Sequence, residues 1–297
     1  MKRFQNKDIG IINFMDLKKM KVKGLYWLIF GVLIILALIC LMPPLWIFIS
    51  SLKSVKELYR IPATLLPDHF DLGKMVTVWK KLDYLKYYIN TLKVVGGAVL
   101  VTVIVNGLAG FVLSRLKPAG SKIYFTIMLW TMLLPNTLSL VPLFKNMIKF
   151  PVFGFNLANT YWPMWLVCGA SAFYVLIFKS FFDGIPMPLI EAARLDGCGH
   201  LRTFARIMLP LSKPIIGVVI IFTVNGVWSD FLLPYLMLTD KSKYTVMLAI
   251  YSVKNSGTMA LDIQLMAVVF AIIPPVIIFC IFQKYILQGF TVSGIKG

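Results

Sequence analysis

The sequence predicts an all-α integral membrane protein with six transmembrane helices. Three observations carry the prediction. Only 14% of the 297 residues are charged while 59% are hydrophobic, where a soluble domain would carry about 25% charged residues, and the mean hydropathy is +0.83. Six apolar runs, residues 25–49, 94–113, 123–144, 157–178, 214–238 and 265–282, hold a single charged residue between them, Asp230. Each run is near the ~20 residues that a helix rising about 1.5 Å per residue needs to cross about 30 Å of hydrocarbon. Between the fourth and fifth runs lies a charged, glycine-containing stretch, residues 182–213, whose pattern is that of helices outside the hydrocarbon.

Taken in order, the chain opens on a segment, 1–23, with seven lysines or arginines against two acidic residues. Basic residues beside the first span favour the cytoplasmic side. The first run is longer than the 7–15 residues of a signal-peptide core, so it is read as a span. Residues 24–93 are then the first helix plus an extracellular excursion from Ser50 to Lys93. Residues 88–287 hold the remaining helices, and 288–297 form a cytoplasmic tail. With an even number of spans both termini are cytoplasmic, and 17 of the 30 basic residues fall inside. The net charge of +18 reads as topology and contact with anionic lipid. No basic stripe with interleaved aromatics accompanies it, so no nucleic-acid partner is expected.

The second run carries Gly107, Ala109 and Gly110, with Ser114 just past its end, a small-residue face that lets helices approach closely, either within the subunit or on a partner. The third is broken by Pro135, after which Asn136, Thr137 and Ser139 either contribute to a solute path or hydrogen-bond to the break. The fifth gathers Asn225, Trp228, Ser229 and Asp230 around and beyond Gly226. An ionised aspartate facing lipid costs roughly 2.5–3.5 kcal/mol, so Asp230 is expected to face water or protein. Amide, indole, hydroxyl and carboxylate together suit a hydroxyl-rich, ring-shaped solute. A position near the outer headgroups, or pairing with a neighbour, is the alternative for Asp230.

Catalytic signatures are missing. There is no phosphate-binding GxxxxGK[ST], no HExxH and no GxSxG, and the two histidines, His69 and His200, stand apart. The four cysteines, Cys40, Cys168, Cys198 and Cys280, have no metal spacing. Several intramembrane ionisable groups would be expected of an ion-coupled carrier, whereas the six runs contain one. The chain is therefore not read as an enzyme, and an ion-coupled secondary transporter remains the lesser alternative.

In the stretch "EAARLDGCGHLRTFARIMLP", Pro186 and Pro188 suit a helix start and Gly197 a left-handed helix end, which predicts a short helix from about Pro188 to Asp196. Leu201, Phe204 and Met208 then recur on one face of a second helix, with Arg202 and Arg206 opposite, until Pro210 stops it.

The residues Glu191, Ala192, Ala193, Gly197, Ile207, Leu209 and Pro210 in this spacing resemble the EAA signature of permease subunits of binding-protein-dependent ABC importers. "SRLKPAG", "LANTY", "FFDGIPMPLIEAARLDG", "VWSDFLLPYLML" and "GFTVSGIKG" resemble the carbohydrate branch, of the maltose-type second permease, over roughly residues 88–297. The resemblance implies a cytoplasmic coupling helix between spans four and five, with Asp196 beside the signature residues, docking on an ABC ATPase dimer in a prokaryotic cell membrane. It also implies a second, homologous permease in a heterodimer, an extracellular solute-binding protein, and a sugar or oligosaccharide as solute, with a non-sugar solute as the alternative. No cofactor is expected in this chain, because ATP and Mg would sit on the partner ATPase.

Overall fold

A computed structural model describes residues 20–293 apart from 152, 256 and 258. Most of the basic N-terminal segment and the last four residues of the tail lie outside the described residues. Among the described residues every regular element is helical. In chain order these are α1 (Met20–Leu52), α2 (Val55–Leu58), α3 (Gly73–Lys81), α4 (Tyr84–Leu116), α5 (Ser121–Thr131), α6 (Leu140–Ile148), α7 (Trp162–Gly169) and α8 (Ala172–Asp183), followed by α9 (Met187–Leu195), α10 (His200–Leu211), α11 (Lys213–Ser229), α12 (Leu232–Met237), α13 (Val246–Asn255) and α14 (Leu261–Ser293).

Three helices are each long and apolar enough to cross a membrane: residues Lys23–Leu52, Tyr84–Leu116 and Leu261–Lys284. Two bent pairs bring the number to five, α7 with α8 at 44° and α10 with α11 at 81°. The third expected span is not one helix. It stops at Thr131 and resumes through a short turn of 3-10 helix, Asn136–Ser139, into α6. Pro135 is the physical reason, since proline disfavours helical geometry in the residue before it. Nor does the fifth run stay helical throughout: α11 ends at Ser229, Asp230 is extended, and α12 begins afresh. The excursion is shorter than expected, because α4 already starts at Tyr84.

That excursion is tied to the membrane helices by polar contacts. Ser54 and Glu57 form a reciprocal cap on α2. Backbone hydrogen bonds from Ser54 and Asp68, 2.7 Å each, hold the Glu57 carboxyl down at about 2. Lys53 is buried, donates to the Thr64 carbonyl and lies over the Trp46 ring. Lys74 bridges to Asp262 at 2.8 Å, joining α3 to the start of α14.

In hydrocarbon, apolar residues gain nothing by leaving lipid, so helices associate through close packing and interhelical hydrogen bonds. Helix α14 shows both. Pro274 and Pro275 lie inside it, and a proline cannot donate to the carbonyl four residues earlier, which orphans the carbonyls of Phe270 and Ala271. Tyr88 of α4 donates its hydroxyl to Phe270 O, and Trp228 of α11 donates its indole N–H to Ala271 O at 2.9 Å. Tyr84 adds a third bond, to Ala267 O. Trp79, Tyr84, Tyr88, Trp228 and Phe270 pack ring against ring around these contacts.

Helix α4 pairs with α7 and α8. A Cβ at Gly97 would lie 2.3 Å from the Trp165 ring, and one at Gly110 would lie 2.7 Å from Phe178 Cβ and 3.0 Å from the Lys179 backbone nitrogen. Gly107, Gly110 and Ser114 are buried. The small-residue face of the second run is thus used within the subunit.

Candidate functional site

Two places in the fold carry the residues singled out in the sequence. The first is the connection from α8 to α11. Helix α9 spans Met187–Leu195, within a residue of expectation at each end. Gly197 adopts φ +76°. Its N–H donates to Arg194 O at 3.0 Å, and the Cys198 N–H donates to Ala193 O at 2.9 Å. These two bonds are the Schellman closure of a helix end, and they need a left-handed residue at that position.

One face of α9 is anchored and the other is free. Ile190 and Ala193 are buried, with Ile190 in a cluster of Phe111, Phe178, Phe182, Phe204 and Met208. Glu191, Ala192, Asp196, Gly197 and Pro210 are exposed, while Ile207 and Leu209 are half-buried. Glu191 makes no ion pair among the described residues. Leu195 and Leu201 are 89% and 73% exposed and Leu189 is also exposed. Leu201 therefore departs from the apolar face expected for it. Residues Phe204–Met208 of α10 form a π-helical turn, which changes the angular spacing, and Thr203 is buried beside Phe204 instead.

The second place is a cavity of about 930 Å³ where three interrupted helices meet. Thr131, Pro135 and Ser139 come from the break after α5, Ala170 and Ser171 from the bend between α7 and α8, and Asp230 from the end of α11. Asp230 Oδ1 accepts the N–H groups of Leu232 at 2.9 Å and Leu233 at 3.4 Å, so the carboxylate caps α12 while bordering the cavity. Asn136 lies in the 3-10 turn of this break, and its side chain lies outside what the structure describes.

The four residues grouped on the fifth run are separated by the fold. Phe222, Asn225, Gly226 and Ser229, spaced i, i+3, i+4 and i+7, form an exposed stripe along α11. Trp228 is 2% exposed, with its N–H committed to the carbonyl that Pro275 frees. The expectation that Trp228 faces a solute path is therefore corrected. Its indole is a packing and hydrogen-bonding group between α11 and α14.

Residues 96–292 match the family of binding-protein-dependent transport system inner membrane components. The chain belongs to that family. This inner-membrane component is 31% identical over 260 residues to the diacetylchitobiose uptake system permease protein NgcG of Streptomyces coelicolor, covering 86% of this chain and 84% of the relative. It is also 31% identical over 270 residues to the arabinooligosaccharides transport system permease protein AraQ of Bacillus subtilis, covering 88% and 92%. Its fold is similar to that of a chain in the crystal structure of a bacterial ABC transporter involved in the import of the acidic polysaccharide alginate. The TM-score there is 0.75 at 22% identity, over 90% of this chain and 98% of the other.

Reasoning from sequence missed Asn106 in this inner-membrane component. Asn106 is fully buried in α4. Its amide donates to Cys168 O at 2.8 Å and Thr102 O at 3.1 Å, and its Oδ1 accepts the Ser171 N–H at 3.1 Å. It thereby satisfies backbone groups at the bend between α7 and α8, where hydrocarbon offers no water to do so. The signal was present as the one amide in an apolar run, but nothing in the sequence names its partners.

Proposed function

We propose that this chain is the transmembrane permease subunit of an ATP-driven importer, translocating a sugar or oligosaccharide delivered by an extracellular binding protein. The observation that carries the reading is the connection between α8 and α11. Helix α9 is pinned to the subunit by Ile190 and Ala193 yet offers Leu189, Leu195 and Leu201 with the unpaired Glu191. Leucines held so far out of a packed core mark a contact surface, and the occupant proposed here is a partner ABC ATPase. Glu191, Ala192, Asp196, Gly197 and Pro210 present that coupling surface, while Ala193, with the half-buried Ile207 and Leu209, seats it on the subunit. The relatives NgcG and AraQ, named for diacetylchitobiose and arabinooligosaccharides, support a glycan as solute.

In this reading the chain crosses the membrane six times, through α1, α4, the broken pair α5 and α6, the bent pair α7 and α8, α11, and α14. Both termini and α9 lie on the cytoplasmic side. A second permease subunit completes a pathway to which this chain contributes Asn225, Ser229 and Asp230, with Asn136 in the adjoining break. The exposed stripe of α11 and the open cavity beside Asp230 support that assignment.

Purification with an affinity tag on this chain should recover an ATPase and a second permease. The reconstituted complex should take up at least one member of a neutral glycan panel in an ATP-dependent way once its binding protein is loaded. ATP-independent uptake driven by an ion gradient would refute the reading. For topology, Leu65→Cys, at a 72% exposed position, should react with an impermeant thiol reagent in intact cells, whereas native Cys198 should not. The reverse pattern would invert the orientation.

A further inference from the structure

We propose that Arg115 is the positioning residue that makes α9 one body with the α4–α8 pair. The inference rests on the coupling role proposed for α9. Helix α8 packs along the second half of α4, from Thr102 to Leu116. Gly110 lets the Phe178–Lys179 backbone approach, and at the end of α4 Ser114 Oγ donates to Asp183 Oδ1 at 2.6 Å. Asp183 also takes Lys179 at 2.7 Å. The next residue, Arg115, reaches past this pair. Its guanidinium donates to Phe182 O, in the last turn of α8, and to Ile185 O, in the short link to α9. Its other terminal nitrogen is 3.7 Å from the sulfur of Met187, the first residue of α9.

One planar guanidinium thus holds the end of one helix, the link and the start of the next. A cation at the carbonyl end of α8 also complements the helix dipole. The apolar contacts of Ile190 and Ala193 keep α9 on the subunit, but apolar contact is non-directional and leaves rotation about the link unrestrained. The guanidinium supplies the direction: both carbonyl bonds come from one nitrogen, Nη2, whose two N–H groups are fixed in the guanidinium plane with Nη1 held beside Met187, whereas the ammonium of lysine turns freely on a flexible stem and has no second nitrogen to place there. With Arg115 in place, tilting of α9 on the ATPase must carry α4 and α8 with it, and the wall of the cavity at Ser171 moves with α8.

The test uses R115K and R115M in the full complex, with spin labels at Lys117→Cys and at Arg194→Cys, an exposed position of α9 outside the proposed contact, in a chain whose four native cysteines are replaced by serine. The wild-type arginine should give one narrow distance distribution, and both variants a broad one. Solute moved per ATP hydrolysed should fall about tenfold in R115K and R115M, the size expected when hydrogen bonds from a charged donor are lost. A merely structural role would lower the amount of complex without changing this ratio. An unchanged ratio with an unchanged distribution in R115K overturns the proposal, because a point charge would then suffice. If R115M fails to accumulate, R115K alone decides. A wild-type complex that hydrolyses ATP without coupled uptake would refute the functional reading instead, and the distance measurement stands independently of it.

Discussion

Replacing Gly197 by alanine isolates the backbone geometry of the proposed coupling loop from every other effect. The glycine sits at φ +76°, and a Cβ built there meets no atom within 4 Å. Overpacking is therefore excluded, and the cost is the left-handed conformation itself, roughly 1–2 kcal/mol for a residue with a Cβ. That shifts the balance between the closed helix end and alternatives about 5- to 30-fold. It is far too little to unfold a membrane domain and enough to leave α9 undocked much of the time. Gly199 provides an internal control. It is two residues away and equally open, but its φ is −68°, so Gly199→Ala should be silent. Gly197→Asn should fall between wild type and alanine, because asparagine tolerates left-handed geometry. The assay is stimulation of ATP hydrolysis by loaded binding protein in the reconstituted complex, with hydrogen exchange at the Cys198 amide reporting loop closure. Equal behaviour of Gly197→Ala and Gly199→Ala, or an asparagine variant no better than alanine, would refute the reasoning.

The bond between Trp228 and Ala271 predicts a coupled pair of effects. Trp228→Phe should destabilise the purified subunit by about 1–3 kcal/mol, the cost of leaving a buried acceptor unpaired, and most of that loss should disappear in a Pro275→Ala background, where the helix regains its own donor. Additive melting-point shifts in the double variant would show that the indole N–H is not replacing the proline's missing bond. For the α4–α8 pair, Gly110→Ala should lower the melting point because its Cβ would meet Phe178 and the Lys179 backbone, at a cost of about 1–3 kcal/mol for overpacking. Gly96→Ala, with open space around it, should be silent or slightly stabilising. Equal melting points for the two alanine variants would contradict the close approach.

Hydropathy alone determined that this chain lives in a membrane and roughly where its apolar runs begin, because the absence of water imposes a demand on composition that needs no partner to be read. Punctuation determined the α9 loop: Pro186, Pro188 and Gly197 act through local dihedral preference, so the helix between them and its left-handed end were legible residue by residue. The EAA spacing was legible for the same reason, being a fixed run of neighbouring positions. What only the tertiary structure decided is how distant residues share backbone groups. Trp228 looked like a pathway residue because it stands among Asn225, Ser229 and Asp230. Its role depends on a carbonyl 43 residues away that a proline in another helix leaves unpaired. Asn106 and Arg115 likewise serve carbonyls on α7, α8 and the link to α9. In hydrocarbon an unpaired carbonyl has no water to turn to, so a break in one helix selects a polar side chain on another, and that choice becomes visible only when the helices are packed together.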